Sequence, residues 1–207
     1  MYTPKYFQQA DIPEIKEFIR QNGFGILVSQ HAGALMATHI PLELSKDGDK
    51  LRGHVAKANP QWKSFQTATE VLAIFQGPHT YISSSWYNHK NVPTWNYIAA
   101  HAYGTLKVLE GDDLYHSLVH LMEKYEQASA NPVTAEKLSA DYIRKAMQGV
   151  VGFEINIARL EATYKLSQNR DRESYSNIVH ELEQRGDEDS ARIAEAMKKN
   201  HDVLFKP

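Results

Sequence analysis

The chain has 207 residues, with 23 lysines and arginines against 25 aspartates and glutamates, which gives a formal net charge of −2. This length allows a sizeable core, and 42% hydrophobic residues are ordinary for a folded domain, so global disorder is excluded. The chain has no cysteine, which excludes disulfides, thiolate zinc sites, iron–sulfur clusters and cysteine nucleophiles. The near-neutral charge argues against a large, generic nucleic-acid-binding surface.

The order of charged and apolar residues predicts neither a membrane helix nor a secretory signal. No apolar run reaches the roughly 20 residues that a membrane helix needs. The first residues lack the basic-then-apolar order of a secretory signal. We therefore expect a cytoplasmic protein with no membrane partner.

Hydrophobic spacing predicts helices and short strands that do not alternate regularly. The predicted helices are Asp11–Arg20, a short one opening at Asn59-Pro60, Asp112–Gln127, Ser139–Met147, Glu173–Gln184 and Asp187–Lys199. The predicted strands are Phe24–Ser29, Leu35–Leu42, Leu51–Ala56, Val71–Phe75 and Val150–Leu160. Six or seven short strands with inserted helices favour a mainly β, α+β fold, an antiparallel β-barrel with helical decoration.

The composition changes at Gln168, because 16 of the 40 residues from Gln168 to Pro207 are charged. The two helices predicted there have thin apolar faces, typical of an appendage that docks weakly on a larger body. We therefore predict one barrel domain over residues 1–167 and a C-terminal helical appendage over residues 168–207.

Common catalytic motifs are missing. The sequence has no nucleophile elbow, no Walker phosphate loop and no His-Glu-x-x-His zinc motif. Gly23-Phe24-Gly25 lacks a third glycine and precedes a strand, so it does not indicate a dinucleotide site. We predict no catalytic residue.

Histidines offer two alternatives that involve a metal or haem. His116 and His120, with Glu123 nearby, have a spacing that can hold a metal, although solvent-facing histidines on a helix share it. A second group, which could meet in the fold and bind a metal or haem, is His79, His89 and His101. Ten histidines make chance grouping easy, so we predict no metal site.

Four segments supply the groups that flavin mononucleotide (FMN) needs, namely phosphate anchors, polar donors and acceptors, and flat apolar walls. From Leu51 to Trp62 a strand leads into a helix start, with Lys57 and Asn59 available for a phosphate. The other segments provide three serines beside two rings, a tryptophan next to an asparagine, and a lysine with two amides; they are Thr80–Tyr87, Thr94–Tyr97 and Lys165–Asn169. A structural interpretation stays open, with Asn59 as a helix cap, the serines in a turn and the tryptophans in the core.

Longer motifs in this sequence support the flavin interpretation. They are Met1-Tyr2-x-Pro4-x-x-Phe7, Thr38–Pro41, Gly53–Trp62, Gly77–Tyr87, Val92–Tyr97, His101–Gly104, Val151–Ile155 and Lys165–Asn169. In these motifs the chain resembles the PaiB family, FMN-binding negative transcriptional regulators of protease synthesis and sporulation in bacilli. One departure is Ser84, where the family pattern has proline between two serines.

The resemblance implies an FMN-binding split β-barrel similar to that of pyridoxamine-phosphate oxidases, with C-terminal helices, and a homodimer with FMN at the subunit interface. It places the segment from His54 to Asn59 at the phosphate and ribityl chain. The pocket would be lined by Ser83, Ser85, Trp95 and Asn96 and closed by Lys165, Gln168 and Asn169. The cofactor-binding residues predicted in this way are His54, Ala56, Lys57, Asn59, Trp62, Ser83, Ser85, Trp95, Asn96, Lys165, Gln168 and Asn169.

Three functions remain open at this point. The resemblance implies a flavoprotein that acts as a transcriptional repressor. The sequence shows no helix-turn-helix and no long basic run, so control would act through DNA contacts of another kind, a protein partner or the C-terminal helices. The alternatives are a flavin-dependent oxidoreductase that exchanges hydride with a small molecule, and a haem-binding split barrel.

Overall fold

Eight strands and five α-helices form the part of the chain that the computed structural model describes, residues 1–67 and 70–205. The strands are β1 Gln8–Gln9, β2 Phe24–His31, β3 Ala34–Pro41, β4 Glu43–Leu44, β5 Lys50–Ala56, β6 Val71–Ile82, β7 Thr94–Leu109 and β8 Val150–Lys165. Their hydrogen-bonded order is β3-β2-β6-β7-β8-β5-β4, with β1 beside β8. Every pair with a defined register is antiparallel, as the sequence predicts.

The helices are α1 Ile12–Gln21, α2 Gly111–Glu126, α3 Ala140–Met147, α4 Arg172–Gln184 and α5 Glu188–Leu204. Their starts follow capping residues, since the side chains of Ser139, Asp171 and Asp187 accept hydrogen bonds from the first turns of α3, α4 and α5. Three short 3-10 helices cover Lys5–Phe7, Pro60–Ser64 and Ser84–Trp86. No described helix combines the length and apolar character needed to cross a membrane.

Strand alternation and turn chemistry set the local registers. β2 and β3 form a hairpin from Phe24 opposite Pro41 to His31 opposite Ala34. Its two-residue loop has positive φ at both Ala32 and Gly33, the conformation that suits the twist of a tight hairpin.

The chain divides into two compact units, and its three longest strands each run through both of them. The first unit contains residues 1–18, 76–100 and the chain from Glu161 onward. Within it the tail helices α4 and α5 bury a continuous apolar face: Tyr175, Ile178, Leu182, Ile193, Ala194 and Met197. The tail is thus packed more closely than its high charge predicts, because its few apolar residues all lie on the covered faces. The last two residues of the predicted appendage, 206 and 207, lie outside the described chain.

The second unit contains residues 19–75 and 101–160. Leu27, Phe75 and Ile155 are fully buried in it, and the Phe65 and Phe153 rings meet edge-on with centroids 5.1 Å apart. β5 pairs with β8 from Lys50 opposite Asn156 to Ala56 opposite Val150. This pairing fixes the end of β5, where the predicted phosphate-binding segment begins.

Candidate functional site

The predicted segment from His54 to Trp62 lies in the second unit, at the end of β5 and in the 3-10 helix that follows. The Lys57 backbone N–H donates to the Gly149 carbonyl at 2.8 Å, and the Trp62 indole N–H donates to the Lys57 carbonyl at 2.9 Å. These two bonds hold the backbone of Lys57 while its side chain stays exposed.

Lys57 and Trp62 line a cavity of about 420 Å³, which is within the size range of small-ligand sites. The cavity walls come from the segment after β5, the 3-10 helix Pro60–Ser64, β7, β8, α2 and α3, and the other lining residues are Gln66, Val108, Leu109, Glu110, Gly111, Leu114, Arg144, Met147, Gln148, Val150 and Val151. The guanidinium of Arg144 lies 2.9 Å from the Asp112 carboxylate. Lys57 has no acidic partner within the described residues, so its charge remains available to an anion.

Asn59 behaves as the structural interpretation predicts. Its side-chain carbonyl accepts from the Gln61 backbone N–H at 3.0 Å, which caps the 3-10 helix Pro60–Ser64. Its amide group donates to the Thr38 hydroxyl at 2.9 Å. Both ends of this amide are therefore engaged inside the chain.

His54 and Ala56 lie on β5 itself, before the cavity-lining Lys57. His54 lines a second cavity of about 250 Å³ between the sheet and helices α2 and α3, with Leu118, Met122 and Ile143 among its walls. Burial lowers the pKa of the His54 imidazole, which keeps it neutral near pH 7. Ala56 is exposed and pairs with Val150 at the last position of the β5–β8 ladder.

Ser83 and Ser85 lie in the first unit, around the 3-10 helix Ser84–Trp86. The Ser83 hydroxyl accepts from the Ser85 backbone N–H at 3.2 Å, and the two hydroxyl oxygens are 2.8 Å apart. Ser84 occupies the first position of this helix, where proline is well suited, so the family's proline and this serine serve the same turn.

Trp95 and Asn96 are neighbours in β7 with opposite environments. The Trp95 side chain is 52% exposed and contacts the rings of His79 and Tyr81, with centroids 6.2 and 6.0 Å away. Asn96 is fully buried, and its carbonyl accepts from the Ser167 hydroxyl at 3.1 Å. Because successive side chains of a strand point to opposite faces, Trp95 lies on the surface, whereas Asn96 forms hydrogen bonds in the interior.

The last group of predicted residues, Lys165, Gln168 and Asn169, lies at the end of β8 and in the turn that follows it. The Lys165 ammonium donates to the Thr94 hydroxyl at 2.5 Å. The Gln168 side chain accepts from the Leu166 N–H and donates to the Tyr164 carbonyl, which closes a tight turn, whereas Asn169 is exposed. Burial, and then the charge of Arg170, lower the pKa of Lys165.

The predicted histidine groups form no metal centre in the described chain, where no cluster of three metal-ligating side chains occurs. His79 and His89 lie 3.6 Å from single carboxylates, those of Asp189 and Asp171. His120 lies 3.4 Å from Glu43. Each of these three histidines therefore lies beside a single carboxylate.

Comparison with known proteins identifies the family. The model of the family described as "Putative FMN-binding domain" matches residues 1–159. Over 200 residues the chain is 44% identical to the Protease synthase and sporulation protein PAI 2 of Bacillus subtilis, covering 96% of this chain and 97% of that protein. The chain belongs to the FMN-binding PaiB family.

Solved structures show that this chain has the expected fold. The flavocytochrome Anf3 from Azotobacter vinelandii superposes with a TM-score of 0.59 at 14% identity, over 79% of this chain and 72% of that chain. The FAD and heme binding protein from Mycobacterium smegmatis superposes with a TM-score of 0.58 at 15% identity, over 76% of this chain and 73% of that chain. The prediction of a flavin-binding split barrel with C-terminal helices is confirmed.

Family membership also confirms FMN as the cofactor. The residues present fit such a group, since the larger cavity combines an unpaired ammonium at Lys57 with apolar walls at Leu114 and Val151 and the half-buried Trp62 ring. Around the end of β8, Thr94 and Ser167 lie in the predicted segments but are not among the twelve predicted residues, and Arg170 lies outside those segments. Arg170 directly follows the motif Lys165–Asn169, and extending that motif by one residue would have included it.

Proposed function

We propose that this chain is an FMN-binding repressor in the control of protease synthesis and sporulation. The observation that supports this function is the 44% identity to the Bacillus subtilis protein, whose name links it to both processes. That similarity covers nearly the full length of both chains and therefore includes the tail helices beyond the flavin-binding family match.

The proposed protein works as a cytoplasmic homodimer that holds FMN through predicted residues other than Asn59 and Asn96, whose side chains are engaged inside the chain. Lys57 and Trp62 support this assignment most directly, because they line the larger cavity with an available charge and a flat ring. Trp95 supports the dimer, because an indole that is half exposed beside two other rings is typical of an interface.

The tail helices are the surface proposed for a regulatory partner. Their outer faces carry ion pairs such as Lys198 with Glu183 at 2.5 Å and Lys199 with Glu195 at 2.9 Å. Alternating charges of this kind suit a polar protein interface better than a phosphate backbone, which attracts a uniformly basic surface. A protein partner is therefore favoured over direct DNA binding.

A genetic experiment tests the regulatory role. The gene is deleted in its host, and transcripts of secreted proteases and sporulation genes are measured through the transition to stationary phase. We expect these transcripts to rise and to fall again when the wild-type gene is restored. Unchanged transcripts in the deletion strain would contradict the repressor function.

A spectroscopic experiment separates the repressor from the oxidoreductase. Purified protein is saturated with FMN, and its absorbance is followed under anaerobic conditions after NADH is added. Flavin bands that persist are expected of a repressor. Rapid bleaching, followed by recovery when a small-molecule acceptor is added, would favour an oxidoreductase.

A further inference from the structure

Two buried polar atoms in the first unit lack a hydrogen-bond partner within the described chain. They are the hydroxyl oxygen of Tyr87 and the Nε of Arg170. Tyr87 is only 8% exposed, so its hydroxyl is largely shielded from bulk water. Because nearly all buried polar groups in proteins are satisfied, an adjacent unsatisfied pair indicates a place for a ligand.

The two side chains lie against each other in a fixed arrangement. The Arg170 guanidinium carbon is 4.6 Å from the centre of the Tyr87 ring, and the His89 ring stacks on the same tyrosine at 6.0 Å. The Arg170 backbone N–H donates to the Ser167 carbonyl at 3.0 Å, across a turn in which Ser167 has a φ of 61°. The positions of both groups are therefore set before any ligand binds.

The charge around this pair is positive. Lys165 lies five residues before Arg170, and the charge of Arg170 contributes to the lowered pKa of Lys165. Neither cation has an acidic partner within the described residues. The adjacent carboxylate, Asp171, is engaged elsewhere, since it accepts from the Ser174 backbone N–H at 2.9 Å and from the Asn88 amide at 3.2 Å.

We propose that Arg170 and the Tyr87 hydroxyl form a binding subsite for a phosphate monoester. These groups supply a guanidinium and a hydroxyl, and a phosphate offers three acceptor oxygens and up to two negative charges. The phosphate belongs either to FMN, in which case this subsite rests on the flavin function proposed above, or to a separate phosphorylated molecule.

The subsite lies at the start of tail helix α4. Asn88, the residue after Tyr87, accepts from the Ser174 hydroxyl at 2.8 Å, and its backbone N–H donates to the same hydroxyl at 3.2 Å. Its amide also donates to Glu173 at 2.8 Å. A phosphate bound at Tyr87 and Arg170 therefore stabilises the contact between this loop and the tail.

Two titrations test the subsite. FMN and riboflavin are titrated by flavin fluorescence into wild type, Arg170→Gln and Arg172→Gln, the last being a matched control that removes the same charge two residues away. In parallel, the melting temperature is measured in inorganic phosphate and in sodium chloride of equal ionic strength. Lys57→Gln is included in both series, because Lys57 is the cation of the larger cavity.

If the phosphate is that of FMN, Arg170→Gln weakens FMN about 10- to 100-fold and leaves riboflavin unchanged, as expected for loss of a charge-assisted hydrogen bond. If it belongs to another molecule, FMN binding is unaffected, and the stabilisation by inorganic phosphate disappears in Arg170→Gln but persists in Lys57→Gln. The second result would support the subsite even if the protein bound no flavin.

The proposal is overturned if Arg170→Gln keeps both the preference for FMN over riboflavin and the stabilisation by phosphate. Tyr87→Phe provides an independent measurement in case Arg170→Gln folds poorly. It removes only the unpartnered hydroxyl, so we expect a smaller loss of phosphate affinity, about 3- to 10-fold, with an unchanged circular dichroism spectrum. An unchanged phosphate affinity in this variant would remove Tyr87 from the subsite.

Discussion

Gln61 shows how one side chain joins segments that are distant in sequence. Its amide N–H groups donate to the Leu27 carbonyl at 3.0 Å and to the Ser29 hydroxyl at 3.1 Å, and its carbonyl accepts from the Thr38 hydroxyl. The residue is fully buried. The sequence places Gln61 in a short helix, but its role depends on β2 and β3, which helical spacing alone does not bring there.

Replacing Gln61 by alanine should cost about 2–4 kcal/mol of unfolding free energy, because it creates a cavity and leaves buried acceptors on β2 without donors. Urea denaturation measures this loss. Gln66→Ala is the matched control, since Gln66 is exposed in the following turn and should change stability by less than about 0.5 kcal/mol. Equal effects of the two substitutions would contradict the proposed role of Gln61.

Glu154 is a buried carboxylate that is surrounded by lysine and arginine side chains. Burial by itself raises the pKa of Glu154, but the hydrogen bond from Arg52 and the contact with Lys107 outweigh it and hold the pKa below the ordinary value of 4.5. The carboxylate lies 2.8 Å from the Arg52 Nε and 3.1 Å from the Lys107 ammonium. The ionised form is thus the stable one in the folded chain.

Because the folded pKa of Glu154 is below its unfolded value, its contribution to stability is present above about pH 4.5 and is lost as the pH falls through the folded pKa. We expect Glu154→Gln to be less stable than wild type at pH 7, with the difference shrinking toward pH 3. Denaturation at several pH values measures this trend. Glu136→Gln, at an exposed position, should show a much smaller change, and a constant difference for Glu154→Gln would contradict the argument.

At the scale of elements, the helices are predicted more accurately than the strands. Each α-helix begins within two residues of its predicted start, because capping residues such as Ser139 and Asp187 act locally. The 16-residue strand β7 is not predicted, since its ring-rich sequence, in which Lys107 is the one Lys, Arg, Asp or Glu residue, has no regular alternation from end to end. Its length follows from pairing with neighbouring strands, which is a non-local property.

Gly104 in β7 is required by close packing on β8. A Cβ at this position would lie 2.0 Å from the Asn156 carbonyl oxygen, a contact that only a backbone shift could relieve. Gly104→Ala should therefore cost about 3 kcal/mol or more in thermal or urea unfolding. At Gly149 the nearest atom would be 3.5 Å away, so Gly149→Ala should be tolerated and serves as the control.

The tail helices provide a second element-scale prediction. Ile193 on α5 is fully buried, whereas Val203 near the end of the same helix is 69% exposed. Ile193→Ala should destabilise the protein by about 2–5 kcal/mol and increase proteolysis of the tail, while Val203→Ala should have little effect. Unfolding and limited proteolysis of both variants measure this, and equal tolerance of the two would indicate a tail that is only loosely held.

At the scale of the whole molecule, the sequence predicts the family, the cofactor and the split barrel, since long motifs carry them. It does not predict which of the site residues act together. Lys57 and Trp62 lie in one compact unit, whereas Ser83, Lys165 and their neighbours lie in the other. Single motifs contain no information about that division, which depends on the paths of β6, β7 and β8.

Assembly gives the last prediction. We expect multi-angle light scattering of the purified protein at micromolar concentration to show a homodimer, with Trp95 in the interface because of its exposed ring. Trp95→Arg should shift the mass toward the monomer value of 23.6 kDa, whereas Leu35→Arg, at an exposed apolar position of edge strand β3, should leave it unchanged. A wild-type protein that is monomeric at this concentration would contradict the dimer.

The two units also limit how this gene can be dissected. The chain passes between them four times, after residues 18, 75, 100 and 160, and these points lie inside α1, β6, β7 and β8 rather than in loops. A fragment that ends with the family match at residue 159 would sever β8 and discard its last six residues. Two-hybrid baits, split reporters and domain swaps should therefore contain every segment of both units. A partner that must be inserted within the chain belongs in the hairpin loop around Gly33, where both neighbouring strands remain complete.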